Sequence, residues 1–335
     1  MKKRIISLAA AAVFVIGTLA GCGNSSTQTT DKTASSDASS SGGDLVTVRD
    51  AVMTGQLDQY ATEIGLWQGI FEKYGIDLQT TEFVAGINTI DAVVNGTADI
   101  GMMADYAAVN RLGNTLDATN LQIFSQISGG QSALSGGLYV DPKYADDPKS
   151  LDGSAGFMYQ EGTVTYYYAS KCIEYLGLDE SKQNLINTDS SQTRLALIQK
   201  GGASAVYANG SEAKYIEEAG WVQVATSQEI GIQTGSYFLS TDKYISENTD
   251  TLAKFLQAVD ESTQYINDHL DESAEYLADK LGLKAEDFKE NWKNYSFEPG
   301  FSEEATTHLE DIEKWGFEHG SFPKDYNVRD FINTD

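Results

Sequence analysis

FVAGINTIDAVVNGTADIGMMADY, residues 83–106, is the stretch from which the fold of this chain can be read. Phe83-Val84 closes an apolar run, and Ala85-Gly86-Ile87-Asn88 can turn the chain while leaving backbone N–H groups unpaired. Ile87, Ile90 and Val94 then recur at helical spacing. Asn95-Gly96 stops that helix, because glycine takes the left-handed position after a helix at little cost. Ala98 to Met103 reads as a short strand, and Ala104-Asp105-Tyr106 opens a second helix. Two strand ends and two helix N-termini therefore fall in one short segment. In open α/β sheets ligands sit beyond the strand C-termini, where helix N-termini offer free N–H groups and a partial positive charge.

Upstream, residues 45–52 read as a strand with Met53-Thr54-Gly55-Gln56 as the loop at its end. Leu57, Tyr60, Ile64, Trp67, Phe71 and Tyr74 then alternate at three and four residues, which predicts one amphipathic helix stopped by Gly75. Residues 76–83 and 121–127 complete a βαβαβαβ order, the pattern of a mostly parallel sheet with helices on its faces. A second α/β unit follows Leu138-Tyr139-Val140, with short strands at 156–159, 184–187, 205–208 and 221–224. Residues 235–240 return to the first unit, and the chain is helical from Thr249, with Leu252, Leu256, Val259, Thr263, Ile266 and Leu270 as one stripe. A chain of this length is expected to divide.

The run from Gly86 to Gly101 also carries a family pattern, a glycine, then Ala-Val, then Gly-x-x-Asp-Ile-Gly, followed by Ala104-Asp105. Over roughly residues 45–240 the chain resembles the solute-binding proteins of nitrate, sulfonate, taurine and thiamine-precursor ABC importers, the SsuA/THI5-like group. The resemblance implies an α/β two-lobed periplasmic-binding-protein fold of type II, two doubly wound sheets joined by a two-strand hinge. The expected division is 45–136 plus 236–335 for lobe I and 137–235 for lobe II, with the chain crossing near 137 and near 235. It further implies a small-molecule ligand and the transmembrane subunits of an ABC permease as partners.

The N-terminus, Met1-Lys2-Lys3-Arg4 followed by an apolar run to Ala20, reads as a signal peptide over 1–21, too short for a comfortable membrane span. Leu19-Ala20-Gly21-Cys22 matches a bacterial lipobox, so Cys22 is the expected lipidation site and residues 22–44 a tether too polar to bury a core. The chain is then expected to sit outside the cytoplasm as a monomer, touching the membrane through its lipid only. A formal charge of −26 argues against nucleic acid as a partner. Only Cys22 and Cys172 are present; Cys172 lies in a helical pattern, and no Cys/His spacing suggests a metal or cofactor. His269, His308 and His319 fall in acidic helices and read as solvated.

Candidate ligand contacts follow from position. Thr54 and Gln56 end the first strand; Gly86 and Asn88 open a helix; Asp105 either caps its helix or accepts from a ligand amine, with Tyr106 beside it. Glu161, Gly162 and Thr163 match the family's second-lobe loop, Tyr166 stands in a run of three tyrosines, and Tyr207 ends a strand. Ser204-Ala205 departs from the family's Asp-Ala. Few basic residues fall on these loops. With Asp105 and Glu161 as acceptors, a taurine-like zwitterion or an aliphatic sulfonate is the expected ligand, and a thiamine-pyrimidine precursor the alternative. No nucleophile–base pair is visible, so no catalytic residue is expected. An enzyme on this fold, resembling the thiamine-pyrimidine synthase, and a sensor presenting its ligand to a membrane kinase are the competing classes.

Overall fold

The computed structural model describes residues 45–333 except 117–119, 131–135, 152–155, Asn294 and Glu298. The leader, Cys22 and its tether, and Asp152-Gly153 lie outside the described residues. Among the described residues ten strands run in chain order: β1 (Val46–Met53), β2 (Ile76–Phe83), β3 (Ile100–Ala104), β4 (Leu121–Gly130), β5 (Gly136–Val140), β6 (Gly156–Tyr159), β7 (Asn184–Asn187), β8 (Ala205–Asn209), β9 (Val222–Thr226) and β10 (Thr234–Thr241). The helices are α1 (Leu57–Trp67), α2 (Ile70–Lys73), α3 (Gly86–Val94), α4 (Asp105–Thr115), α5 (Val164–Tyr175), α6 (Ser191–Gln199), α7 (Gly210–Glu218), α8 (Ser227–Ile230) and α9 (Asp242–Glu247). Then come α10 (Thr249–Asp268), α11 (Leu270–Leu281), α12 (Ala285–Trp292) and α13 (Glu303–Glu318).

Two five-stranded sheets result, ordered β2-β1-β3-β10-β4 and β7-β6-β8-β5-β9. In the first, β1 is parallel to β2, pairing Val46 with Ile76 through Met53 with Phe83, and parallel to β3. β10 enters antiparallel between β3 and β4. In the second, β5 plays the antiparallel part, between β8 and β9. Each sheet is therefore mostly parallel but takes one reversed strand next to a crossing. The crossing from β9 to β10 carries the short helix α8, capped by a Thr226–Glu229 capping box.

The pleat of β1 explains the layers. Val48 packs in the cluster that holds α1 and α10, whereas Ala51 belongs to the core that includes α3, α4 and α13. The single helix expected over 57–74 is two. Gly69 sits at φ 67°, a left-handed conformation that interrupts the helical ladder between α1 and α2. Trp67, at the break, is 38% exposed and stacks on Tyr276 at 4.2 Å. A second glycine, Gly65, lets α1 approach closely, since a Cβ there would lie 2.3 Å from the Phe71 ring and 2.5 Å from Ser262 Oγ.

Candidate functional site

The strand C-termini Met53 and Ala104 and the start of β10 meet at one edge of the first sheet. They border a pocket of about 300 Å3 lined by Met53, Gln56, Met102, Ala104, Ser128 and Thr234, with Gly235, Ser236, Asn291 and Tyr295 completing it. Every lining side chain is uncharged. Hydroxyls and amides come from Gln56, Ser128, Thr234, Ser236 and Asn291, and Ser128 Oγ lies 2.9 Å from Ser236 Oγ. Met53, Met102 and Tyr295 give an apolar side.

The loop 53–56 is held from beneath. Met53 N–H donates to Asp58 Oδ2 at 2.9 Å and Gly55 N–H to Gln59 Oε1 at 2.8 Å, both acceptors lying on the first turn of α1 and fully buried. Thr54 N–H reaches across to the Phe83 carbonyl at 2.8 Å. Asp50, on the helix-facing side of β1, is 1% exposed with neither carboxylate oxygen hydrogen-bonded. Burial, and then the neighbouring Asp58, push Asp50 well above the usual carboxylate range. Burial also pushes Asp58 up to about 7, against the lowering effect of its backbone hydrogen bonds.

A second pocket of about 560 Å3 lies at the matching edge of the second sheet, lined by Gln160, Glu161, Gly162, Asn187, Thr188, Asp189 and Thr193. Glu161 is exposed, with its N–H on Asn187 Oδ1 at 3.0 Å and its carboxylate accepting from Asn187 Nδ2 at 3.1 Å. Behind it Arg194, 6% exposed, makes a two-pronged pair with Glu212 at 2.6 and 3.0 Å and donates to Thr188 Oγ1.

The sequence-derived candidates are thus dispersed. Gln56 lines the first pocket; Thr54, exposed, is its loop neighbour. Gly86 packs against β3, with the Met102 carbonyl 3.3 Å from where a Cβ would stand, and Asn88 is exposed with its N–H already on the Ala85 carbonyl. Glu161 and Gly162 line the second pocket. Thr163 caps α5, accepting from Thr165 N–H and donating to the Gln160 carbonyl. Tyr166 stands in an aromatic cluster with Tyr159, Trp315 and His319. Tyr106 and Tyr207 are each 5% exposed, their hydroxyls against Ser321 and Ser227.

Asp105 opens α4 as its first residue, with Ala104 as the cap. It is 2% exposed, and its Oδ2 accepts from Gly235 N–H at 2.9 Å and faces His308 Nε2 at 2.7 Å. Its Oδ1 faces its neighbour's amide at 2.6 Å. The carboxylate therefore ties α4, the start of β10 and α13 together inside the protein. His308 is 7% exposed, which corrects the solvated reading. His319, also partly covered, stacks on Trp315 at 4.2 Å and pairs with Glu180 at 3.3 Å. Asp99 is structural, paired with the Arg49 guanidinium. Sequence reasoning named neither Asn291 nor Tyr295 as site residues; Asn291 lies in α12 and Tyr295 just beyond its end, both far in sequence from the loop they face.

Known proteins share this architecture. The profile of the family described as NMT1/THI5 like matches residues 64–273. No curated protein matches by sequence. Among solved structures, the fold is shared with the periplasmic aliphatic sulphonate binding protein SsuA from Escherichia coli (TM-score 0.72, 16% identity, 85% of this chain and 97% of that one). It is shared as well with the alkanesulfonate-binding protein SsuA from Xanthomonas axonopodis pv. citri bound to MOPS (TM-score 0.64, 14% identity, 87% and 99%). A third is the periplasmic nitrate-binding protein NrtA from Synechocystis PCC 6803 (TM-score 0.59, 15% identity, 87% and 87%). At these identities the likeness establishes the fold, the expected two-lobed periplasmic-binding-protein architecture.

Proposed function

The chain belongs to the NMT1/THI5-like family, and from that premise we propose that it is an extracytoplasmic receptor that captures a small solute and hands it to an ABC importer. The observation that carries this reading is the uncharged pocket at the strand C-termini of the first sheet. Its volume, about 300 Å3, suits a small organic solute. Its hydroxyls and amides can donate to the oxygens of an anionic head, and Met53, Met102 and Tyr295 can cover an alkyl stem. The ligand read this way is an aliphatic sulfonate. Taurine is placed second, because the acceptor argued for its amine, Asp105, is engaged internally. An aminopyrimidine is the alternative the Tyr295 ring favours.

A thermal-shift panel of alkanesulfonates, taurine, an aminopyrimidine and nitrate tests this. At 100 times Kd a ligand adds about 2.7 kcal/mol, a rise of several degrees at roughly 2–4 °C per kcal/mol. The expected order is alkanesulfonate, then taurine. A clear shift with nitrate alone would overturn the pocket chemistry argued here.

We propose further that lipid at Cys22 anchors the receptor, on the strength of Leu19-Ala20-Gly21-Cys22. Cells making the wild type should incorporate palmitate into it, and Cys22→Ala should abolish the label; equal labelling would refute the anchor. Receptor rather than enzyme is supported by the thiol among the described residues: Cys172 is fully buried and burial pushes its pKa up, the opposite of an activated nucleophile.

A further inference from the structure

We propose that Asp58 and Gln59 are positioning residues of the binding pocket, setting from the first turn of α1 the conformation of the loop that presents Met53 and Gln56 to the ligand. The inference rests on the pocket reading above and adds the residues that shape it. Neither side chain lines the pocket. Asp58 is 0% and Gln59 1% exposed, and each spends an acceptor on a loop amide, Met53 N–H and Gly55 N–H respectively. The loop has little backbone bonding of its own. Gly55 stands at φ 78°, and the turn's internal backbone bond, from Gln56 N–H to the Met53 carbonyl, is long at 3.2 Å.

The arrangement has a second anchor on the opposite side, where Tyr295 OH lies 3.4 Å from the Gly55 carbonyl while its ring lines the pocket. Both peptide groups of Gly55 are thereby engaged by side chains from separate elements. Nothing in core packing requires a carboxylate at residue 58: its second oxygen is buried without a partner, next to the equally unpartnered Asp50. A buried acid kept at such a position despite its burial is explained by what its bonded oxygen does, which is to fix the amide at the end of β1. Pre-set donors and walls lower the ordering cost that a ligand would otherwise meet on binding.

The test uses four variants in the full chain. Asp58→Leu and Gln59→Met remove the acceptors; Asp58→Asn and Gln59→Glu keep an oxygen in place. Amide hydrogen exchange at Met53 and Gly55 needs no ligand. It should accelerate roughly tenfold at the amide that loses its partner and stay near wild type in the two conservative variants. Titration with ethanesulfonate and with taurine should show roughly tenfold weaker binding for Asp58→Leu and Gln59→Met, restored in Asp58→Asn and Gln59→Glu. Unchanged exchange in all four overturns the proposal. So does unchanged affinity in all four when the wild type binds, with the pocket reading left standing. If the wild type binds neither probe, the sulfonate reading fails and exchange alone decides the positioning role. Should Asp58→Leu not fold, the Gln59 pair decides between the outcomes.

Discussion

Asp105→Ala should lower stability by about 3–5 kcal/mol, because it removes one acceptor from two buried donors at once. Gly235 N–H and His308 Nε2 both converge on Asp105 Oδ2, and Gly235 and His308 are themselves buried. Each orphaned donor costs about 1–3 kcal/mol, and the small alanine leaves space that the neighbours must fill. At roughly 2–4 °C per kcal/mol the melting midpoint should fall by roughly 10 °C. Calorimetry of Asp105→Ala against His308→Ala measures it. If Asp105 were mainly a ligand acceptor, the midpoint would stay near wild type while affinity fell; that result would return the residue to the cleft. Read from sequence as a helix cap or a ligand acceptor, Asp105 joins three elements from distant parts of the chain through one carboxylate.

The second large effect concerns pH. For an acid whose pKa is higher in the folded than in the unfolded chain, the folded form binds the proton more tightly. Its stabilising contribution is complete below the unfolded value and is lost as pH rises toward the folded one. Asp50 is raised well above the usual range and Asp58 to about 7. Each such group costs about 1.4 kcal/mol per pH unit across that window. The midpoint of the wild type should therefore fall by several degrees between pH 5 and pH 7, an interval in which ordinarily placed carboxylates are already ionised. Asp50→Asn should match the wild type near pH 4, lose much of the slope and be the more stable protein at pH 7. A wild-type midpoint that is flat or rising over this range, or a variant with an undiminished slope, would show that Asp50 is not held neutral.

Local pattern carried the fold a long way. β2 falls on residues 76–83 as expected, Gly96 takes its left-handed position at the end of α3, and β10 returns to the first sheet. What failed was local too. Trp67 and Phe71 keep helical spacing across Gly69, so periodicity alone could not show that the ladder breaks between them. His308 was readable in principle: it shares a face with Ala305, Leu309, Ile312 and Trp315, all buried on α13. Its acidic neighbours concealed that. Asp50, an acid between the core residues Val48 and Val52, was an equally direct signal of a buried charge. The pocket was legible only in the loop after the first strand, at Met53 and Gln56. Asn291 and Tyr295 arrive from after α11, and no spacing rule links them to a loop more than two hundred residues earlier.

The place of β10 bears on how the polypeptide acquires its shape over time. In the first sheet β4 pairs with β10, which itself separates it from β3. β4 cannot take its place in the sheet until residues 234–241 have been synthesised, and α10 must follow before it can cover α1. The second sheet, drawn from the uninterrupted run 136–226, can assemble first. Folding of the first sheet is thereby delayed by long loop closures, which slow the search. The first sheet of a nascent chain built this way stays unfinished through most of its synthesis.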